Sequence, residues 1–275
     1  IAGTGVALRQ LNWLTADADA SLLRVTINVL TPCLIFDSIL GNEAFSQPGN
    51  VWLPPLIGFG TVALGIPFAL LLRGATGLRD DRARRTFTFV VSAYNYGYVP
   101  IPLVLSLFPG EAARSTLAVL FVHNVGVETA IWSFGLILLG GGTLRESWRK
   151  ILNAPLFAIV LTLALNFSIG DRQMPAFVRT TAHMLGQCAI PFGVLLIGAT
   201  MADYVHEFQA VRNARLVVVS CLLRLGILPV LFLLLAKFLP CSIELKRVIA
   251  IQAAMSAAVF PIVISKHYGG DPATA

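Results

Sequence analysis

Polar side chains inside long apolar runs are the residues of this sequence with the clearest capacity for chemistry. Asn95 lies in the stretch SAYNYGYVPIPL (92–103), whose flanking residues are mostly apolar. Its amide can donate two hydrogen bonds and accept others, so it could bind a carboxylate or cap a broken helix. Tyr94 and Tyr98 are four residues apart and would share a face if that turn stayed helical. They could form the wall of a pocket for an aromatic molecule, or an interfacial tyrosine belt.

A second polar cluster lies in the apolar run 113–140. Glu128 is near its middle, and His123 and Asn124 precede it by about one helical turn. An ionisable group at such depth costs roughly 2.5–3.5 kcal/mol on insertion scales and usually has a function. Because a buried carboxyl group can hold a proton, Glu128 and His123 are candidates for proton or ion coupling. The alternative is an ion pair between Glu128 and Arg224, which also lies inside an apolar run, and the sequence does not choose.

The sequence gives little support for an enzyme. His123 and Glu128 are five residues apart, which is not the HExxH spacing of zinc hydrolases, and no GxSxG or phosphate-binding loop is present. The 4 cysteines have no CxxC spacing and lie mostly in apolar segments, as small buried side chains do. We therefore predict that the protein is not an enzyme and has no metal site and no cofactor.

The elements that must position these side chains are membrane-spanning helices. Of the 275 residues, 56% are hydrophobic and 12% are charged, whereas a soluble domain usually carries about 25% charged residues. The net charge of +6 does not indicate nucleic-acid binding, because the basic residues occupy short loops and form no stripe. A spanning helix needs about 20 apolar residues. The candidate spans are 20–41, 51–73, 84–108, 113–140, 153–169, 176–203, 213–237 and 243–266.

The charges of the predicted loops indicate an orientation in the membrane. Loop 73–85 carries five arginines and loop 141–152 carries two arginines and a lysine, whereas loop 42–50 has no lysine or arginine. Because cytoplasmic loops are enriched in these residues, loops 73–85 and 141–152 are expected in the cytoplasm. Lys237 and the pair 246–247 then fall on the outside, against the rule.

The two halves of the sequence can be superposed with a shift of about 160 residues, as expected for a repeat. The matches are Pro32 with Pro191, Pro100 with Pro261, and FPGEAARS (108–115) with YGGDPATA (268–275). A repeat of five helices is odd in number, so its second copy must enter the membrane from the opposite side. We expect a first repeat at 1–140, a cytoplasmic loop at 141–152 and an inverted repeat at 153–275. On this register the first helix is incomplete and the last helix of ten is missing.

Each half contains an apolar run that carries its own helix breakers. Proline removes a backbone donor and blocks the carbonyl four residues earlier, and an orphaned polar group in lipid is costly. We interpret 92–103 and 252–270 as unwound helices that cross near the membrane centre and expose main-chain polarity to a ligand. The residues expected to bind it are Asn95, Tyr94, Tyr98, Pro100, Asn124, Gln252, Ser256 and Pro261. Two ordinary proline kinks without a ligand are the alternative.

Several stretches resemble the auxin efflux carriers and their bacterial relatives, within the bile/arsenite/riboflavin transporter superfamily. They are LLRVTINVLTPCLIF (22–36), YNYGYVPIPL (94–103), HNVGVETAIWSFG (123–135), LLIGATMAD (195–203), LLRLGILP (222–229) and AAMSAAVFPIVISKHYGGD (253–271). The resemblance implies ten helices in two inverted five-helix repeats, a scaffold part and a transport part, and a crossover of the fourth and ninth helices. The family's asparagine that holds the substrate carboxylate matches Asn95. Its two ninth-helix prolines match Ser256 and Pro261, so one of them is missing here.

The expected function is secondary transport of small organic anions, such as auxin-like compounds or dicarboxylates, by alternating access at the crossover. A sodium-coupled bile-acid-type symporter is one alternative, and a membrane receptor or an intramembrane hydrolase is an alternative from another class. The expected partners are a small carboxylate substrate and the lipid bilayer of a bacterial inner membrane. Coupling to H⁺ or Na⁺ and a homodimer stay open, and no nucleic-acid partner is expected.

Overall fold

The described part of the protein is built from helices, which confirms the predicted all-α membrane class. The computed structural model describes residues 1–140, 152–168, 173–204, 213–258, 261, 264–265, 268–271 and 274–275. The helices are α1 (Ala2–Gln10), α2 (Ala16–Val25), α3 (Thr31–Ile39), α4 (Gly49–Leu72), α5 (Asp81–Ser92), α6 (Pro100–Leu107), α7 (Gly110–Leu139), α8 (Ala154–Ser168), α9 (Ala176–Tyr204), α10 (Ala214–Cys221), α11 (Leu228–Phe238) and α12 (Ile243–Ala253). A π-helical turn joins α2 to α3 (Thr26–Leu30) and another joins α10 to α11 (Leu222–Ile227). Short 3₁₀ turns occupy Glu43–Ser46 and Arg73–Thr76.

Among the described residues, 5 helical stretches are long and apolar enough to cross a membrane. They are Asp17–Ile39, Gly49–Thr76, Gly110–Leu139, Ala176–Asp203 and Ala214–Phe238, and the shorter apolar helix α8 accompanies them. The predicted spans 84–108 and 243–266 are not among them, because both are interrupted. Helix α5 ends at Ser92 and α6 begins at Pro100, while α12 ends at Ala253. Both interruptions fall where the prolines and small residues predicted them.

The chain folds into two compact units, and each draws on both halves of the sequence. The first unit comprises Ile1–Asn42 and Asn153–Arg212, and the second comprises Glu43–Leu152 and Asn213–Ala275. The first unit therefore contains α1–α3, α8 and α9, and the second contains α4–α7 and α10–α12. The inverted relation between residues 1–140 and 153–275 stays a prediction. The predicted loop 141–152 lies outside the described residues, except for its last position.

The first unit is held by close helix packing and by polar side-chain contacts that are partly exposed. A side chain at Gly5 would overlap the backbone of α9, so α1 and α9 approach closely there. Arg9 pairs with Asp19 and, at 3.0 Å from its Nε, with Asp203. Asp37, whose position near a helix end favours an interfacial location, lies 2.9 Å from Nδ1 of His183.

In the second unit, glycines bring α4 and α7 into backbone contact. A Cβ atom at Gly126 would overlap the carbonyl of Pro55, and one at Gly58 would overlap the carbonyl of His123. Small residues permit such contact between helices in a membrane. The close contact at Gly58 involves His123, a member of the polar cluster of α7. A separate apolar cluster packs α10 and the following turn against α4 and α5, and its buried members are Ala69, Phe87, Val91, Val219, Leu223 and Leu228.

Candidate functional site

The two interrupted segments meet inside the second unit and pair through their backbones. The amide of Asn95 donates to the carbonyl of Ser256 (3.0 Å), and the amide of Ala258 donates to the carbonyl of Ala93 (3.1 Å). These bonds form a short antiparallel bridge centred on Tyr94 and Ala257. Each break leaves backbone amides and carbonyls without helical partners, and here they form hydrogen bonds with groups of the other break. Buried backbone groups need such partners because water cannot reach them. The two interrupted segments therefore meet as predicted, and they are non-helical breaks, not ordinary proline kinks.

Local sequence explains why the chain unwinds at these positions. Pro100 is the first residue of α6, where proline is tolerated because the N–H it lacks would have no helical partner. Residues 93–99 are not helical, and Gly97 lies within them. On the other side, α12 ends at Ala253, and the next residues include three alanines and a serine. Their small side chains let the two backbones come within hydrogen-bonding distance.

Asn95 lies at the centre of the crossover, and its main chain and side chain are used differently. The backbone amide is bonded to Ser256. The side-chain Oδ1 lies 3.4 Å from the amide of Gly97, which makes a weak local turn. Nδ2 forms no hydrogen bond with any described residue, and the side chain is half-buried. Asn95 therefore keeps a donor that a bound molecule could use, while its backbone holds the bridge.

Asn124 fastens the first break to α7. Its Nδ2 donates to the carbonyl of Tyr96 over 2.7 Å, and its Oδ1 lies 3.5 Å from Nδ1 of His123. His123 is fully buried, and its Nε2 has no hydrogen-bond partner among the described residues. Glu128, about one turn further along α7, is half-buried. Asn124 is the member of the α7 cluster that contacts the broken segment directly.

Tyr94 and Tyr98 do not share a helical face. Tyr94 is 0% exposed, and its hydroxyl lies 2.7 Å from Oγ1 of Thr61. Its ring meets Phe232 edge to face at a centroid distance of 5.8 Å. Tyr98 is half-buried. The expected common wall assumed an unbroken helical turn, and that premise is wrong because residues 93–99 are extended or turning.

Arg224 contacts both breaks and does not pair with Glu128. Its Nε donates to the carbonyl of Met255 (2.8 Å) and its Nη2 to the carbonyl of Gln252 (3.2 Å). Its guanidinium carbon lies 4.9 Å from the ring centroid of Tyr94. Among the described residues no carboxylate pairs with it, so the proposed Glu128–Arg224 ion pair is wrong.

The remaining predicted residues lie in or beside the second break. Gln252 is 0% exposed, and neither atom of its amide group has a hydrogen-bond partner in the described part of the chain. Ser256 is exposed, and Pro261 and Pro100 are buried. No group of three or more His, Cys, Asp or Glu side chains with metal-site geometry occurs among the described residues.

Sequence reasoning gave too little weight to Arg224 and missed Thr61. The signal for Arg224 was present, since a charged residue inside the run LLRLGIL is expensive in a membrane and rarely lacks a purpose. No pattern in the sequence marks Thr61, because a lone threonine in an apolar helix usually bonds to its own helix. Its Oγ1 does so here, donating to the carbonyl of Gly58, and also contacts Tyr94.

Comparison with known proteins agrees with this architecture. A family model described as "Membrane transport protein" matches residues 1–146 and 143–275. A curated relative from Methanothermobacter thermautotrophicus, called an "Uncharacterized transporter", is 27% identical over 201 residues, which make up 72% of this chain and 63% of the relative. The chain thus spans less than two thirds of that relative's length. With its apolar helices and crossing breaks, this integral membrane protein belongs to the membrane transport protein family, that of the auxin efflux carriers it resembles.

Proposed function

We propose that the protein is a secondary transporter of small organic anions that works by alternating access at the crossover. The observation that carries this proposal is the backbone pairing of Asn95 with Ser256 and of Ala93 with Ala258. A helix that only anchors a protein in lipid has no need of such a break, because unwinding exposes polar main-chain groups. Transporters use paired broken helices to bring those groups to a substrate.

The polarity of the crossover favours an anionic substrate. Nδ2 of Asn95 is a donor that no described residue uses, and it lies on a half-exposed side chain. Helix α6 begins at Pro100, so the positive end of its dipole faces the break. Arg224 adds a full positive charge close to Tyr94, the neighbour of Asn95. A carboxylate is the common small anion that matches amide donors of this kind.

The predicted substrate residues divide by exposure in this conformation. Asn95, Tyr98 and Ser256 keep exposed surface, and we assign them to direct contact. Tyr94 and Gln252 are fully buried, and we assign them to support of the break. Support is also the role proposed for Asn124, Pro100 and Pro261. Auxin-like acids and dicarboxylates are the substrate classes to test.

Coupling and orientation complete the proposal. Glu128 is half-buried on α7, about one turn after Asn124, which holds Tyr96 of the broken segment, so a change in its protonation would act close to the crossover. His123 is its candidate partner in moving a proton. The arginines of loop 73–85 favour a cytoplasmic location for that loop and for loop 141–152 in a bacterial inner membrane.

The test is uptake of radiolabelled indole-3-acetate and succinate into proteoliposomes, with and without proton and sodium gradients. Asn95→Ala removes the spare amide donor but keeps the backbone bridge. We expect it to weaken carboxylate binding by about tenfold or more, because a hydrogen bond to a charged group contributes about 1.5–3 kcal/mol.

The matched control is Asn28→Ala in the first unit, an exposed residue whose amide donates to the carbonyl of Arg24 one turn earlier. Asn28→Ala should leave carboxylate binding unchanged. Uptake of neither acid by the parent protein, or equal affinity in the parent and in Asn95→Ala, would contradict the proposal.

A further inference from the structure

We propose that Arg224 is a positioning residue, which caps the broken end of α12 and fixes it against the first break, and so sets the shape of the substrate site. The inference rests on the proposed function, because it concerns the same site. It assigns a role to a residue that does not itself need to touch the substrate.

The first step concerns the hydrogen bonds that the break removes. In a continuous helix, each carbonyl accepts the amide four residues later. Because α12 ends at Ala253, the carbonyl of Gln252 accepts the amide of Met255 three residues later (3.2 Å), and the carbonyl of Met255 lies beyond the helix. Arg224 gives each of these carbonyls a side-chain donor, at 3.2 Å for Gln252 and 2.8 Å for Met255. Such donors stabilise buried carbonyls, and a cation is favoured at the carbonyl end of a helix.

The second step concerns the link to the other break. The guanidinium carbon lies 4.9 Å from the ring centroid of Tyr94 and 5.6 Å from that of Phe232. A cation held over an aromatic face is attracted to it most strongly when water is excluded, and Arg224 is 3% exposed. Tyr94 is the residue bridged to Ala257. The face of the Arg224 guanidinium group therefore contacts the first break at Tyr94, and its N–H donors bind carbonyls of the second break.

The third step explains why this residue is an arginine. A guanidinium group presents several N–H donors in one plane while its face stays available for stacking, whereas a lysine ammonium is a compact point charge. Lysine could bond to one carbonyl but could not reproduce the fork and the stacking together. The π-helical turn Leu222–Ile227 carries Arg224, and such turns frequently occur at functional sites.

The test compares Arg224→Lys with Arg247→Gln in full-length protein, using proteoliposome uptake of labelled indole-3-acetate. Arg247 is a matched control, since it is a half-buried cation on α12 that lies over the ring of Phe108 (5.0 Å) and contacts neither break among the described residues. We expect Arg224→Lys to raise the apparent KM at least about fivefold, with the yield of folded protein retained because the charge is kept. Arg247→Gln should leave KM within about twofold.

A purely structural role predicts a different result. Fewer folded molecules would lower the maximal uptake rate without changing KM, and that outcome in Arg224→Lys would overturn the proposal. Arg224→Gln separates geometry from charge. If only Arg224→Gln raises KM and Arg224→Lys does not, the charge matters and the fork does not, which also overturns the proposal.

Asn95→Ala measured in parallel separates this inference from the proposed function. Loss of binding in Asn95→Ala with an unchanged KM in Arg224→Lys would overturn the positioning role alone. Failure of the parent protein to take up any carboxylate would overturn the proposed function instead. A raised KM in both variants supports both.

Discussion

The two breaks that cross in the second unit reach the same backbone pairing by different means. The first break is rich in polar and aromatic residues and is held from outside by Asn124 and Thr61. The second consists mostly of small residues, with Ser256 as its one exposed polar side chain among the described residues 254–258, and is held by Arg224. One segment thus supplies groups for a ligand, and the other supplies a close approach. A crossover needs both, since two bulky segments could not pair and two small ones would have little to bind with.

The largest expected effect comes from removing a bond between the breaks. Ala258→Pro eliminates the amide that donates to the carbonyl of Ala93, which belongs to a fully buried residue. An orphaned buried carbonyl costs about 1–3 kcal/mol. We expect uptake to fall at least about tenfold, together with a lower melting temperature in detergent. Unchanged uptake would show that the pairing is not needed for function.

An intermediate effect is expected at the contact that holds the first break. Oγ1 of Thr61 donates to the carbonyl of Gly58 (2.9 Å), so the hydroxyl of Tyr94 must be the donor to Thr61. Thr61→Val leaves that buried hydroxyl without its acceptor, at a cost of about 1–3 kcal/mol. Tyr94→Phe removes the donor but keeps the ring over which Arg224 lies, and should cost only about 1 kcal/mol.

Denaturant unfolding in detergent micelles can rank the two variants. The double variant Thr61→Val/Tyr94→Phe should be no less stable than Thr61→Val alone, because the orphaned hydroxyl is gone. A Tyr94→Phe variant that is less stable than Thr61→Val would contradict this account of the first break.

The smallest effect is expected from restoring a proline to the second break. The amide of Ser256 bonds to no described residue, and its carbonyl, which accepts from Asn95, survives substitution. Ser256→Pro should therefore change the free energy of unfolding by less than about 1 kcal/mol and leave the melting temperature in detergent nearly unchanged. Ala258→Pro introduces a proline two positions away, where we expect a lower melting temperature, so the two variants form a matched pair. Equal damage in both variants would mean that general stiffening, and not the lost bond, disturbs the break.

The sequence predicted the positions of the breaks better than the contacts around them. Pro100 identifies where a helix cannot continue, because proline acts on the backbone locally. The small residues after Ala253 identify where a second backbone can come close. The interpretation of Tyr94 and Tyr98 failed, because it extended helical spacing through a segment that those same prolines unwind. The Glu128–Arg224 pair failed for another reason. The prediction paired two opposite charges and did not consider main-chain carbonyls as partners. In the structure, Arg224 donates to two carbonyls at and beyond the end of α12.

By itself, the sequence determined the class of protein, the apolar helices and the two points of interruption, since composition, length and proline act within one segment. Only the tertiary structure decided which polar groups become partners of one another. It joined Asn95 to Ser256, turned Tyr94 inward to Thr61 and gave Arg224 its carbonyls. The physical reason is that a buried polar group must find a partner, but nothing in its own neighbourhood of the chain specifies which distant atom that partner will be.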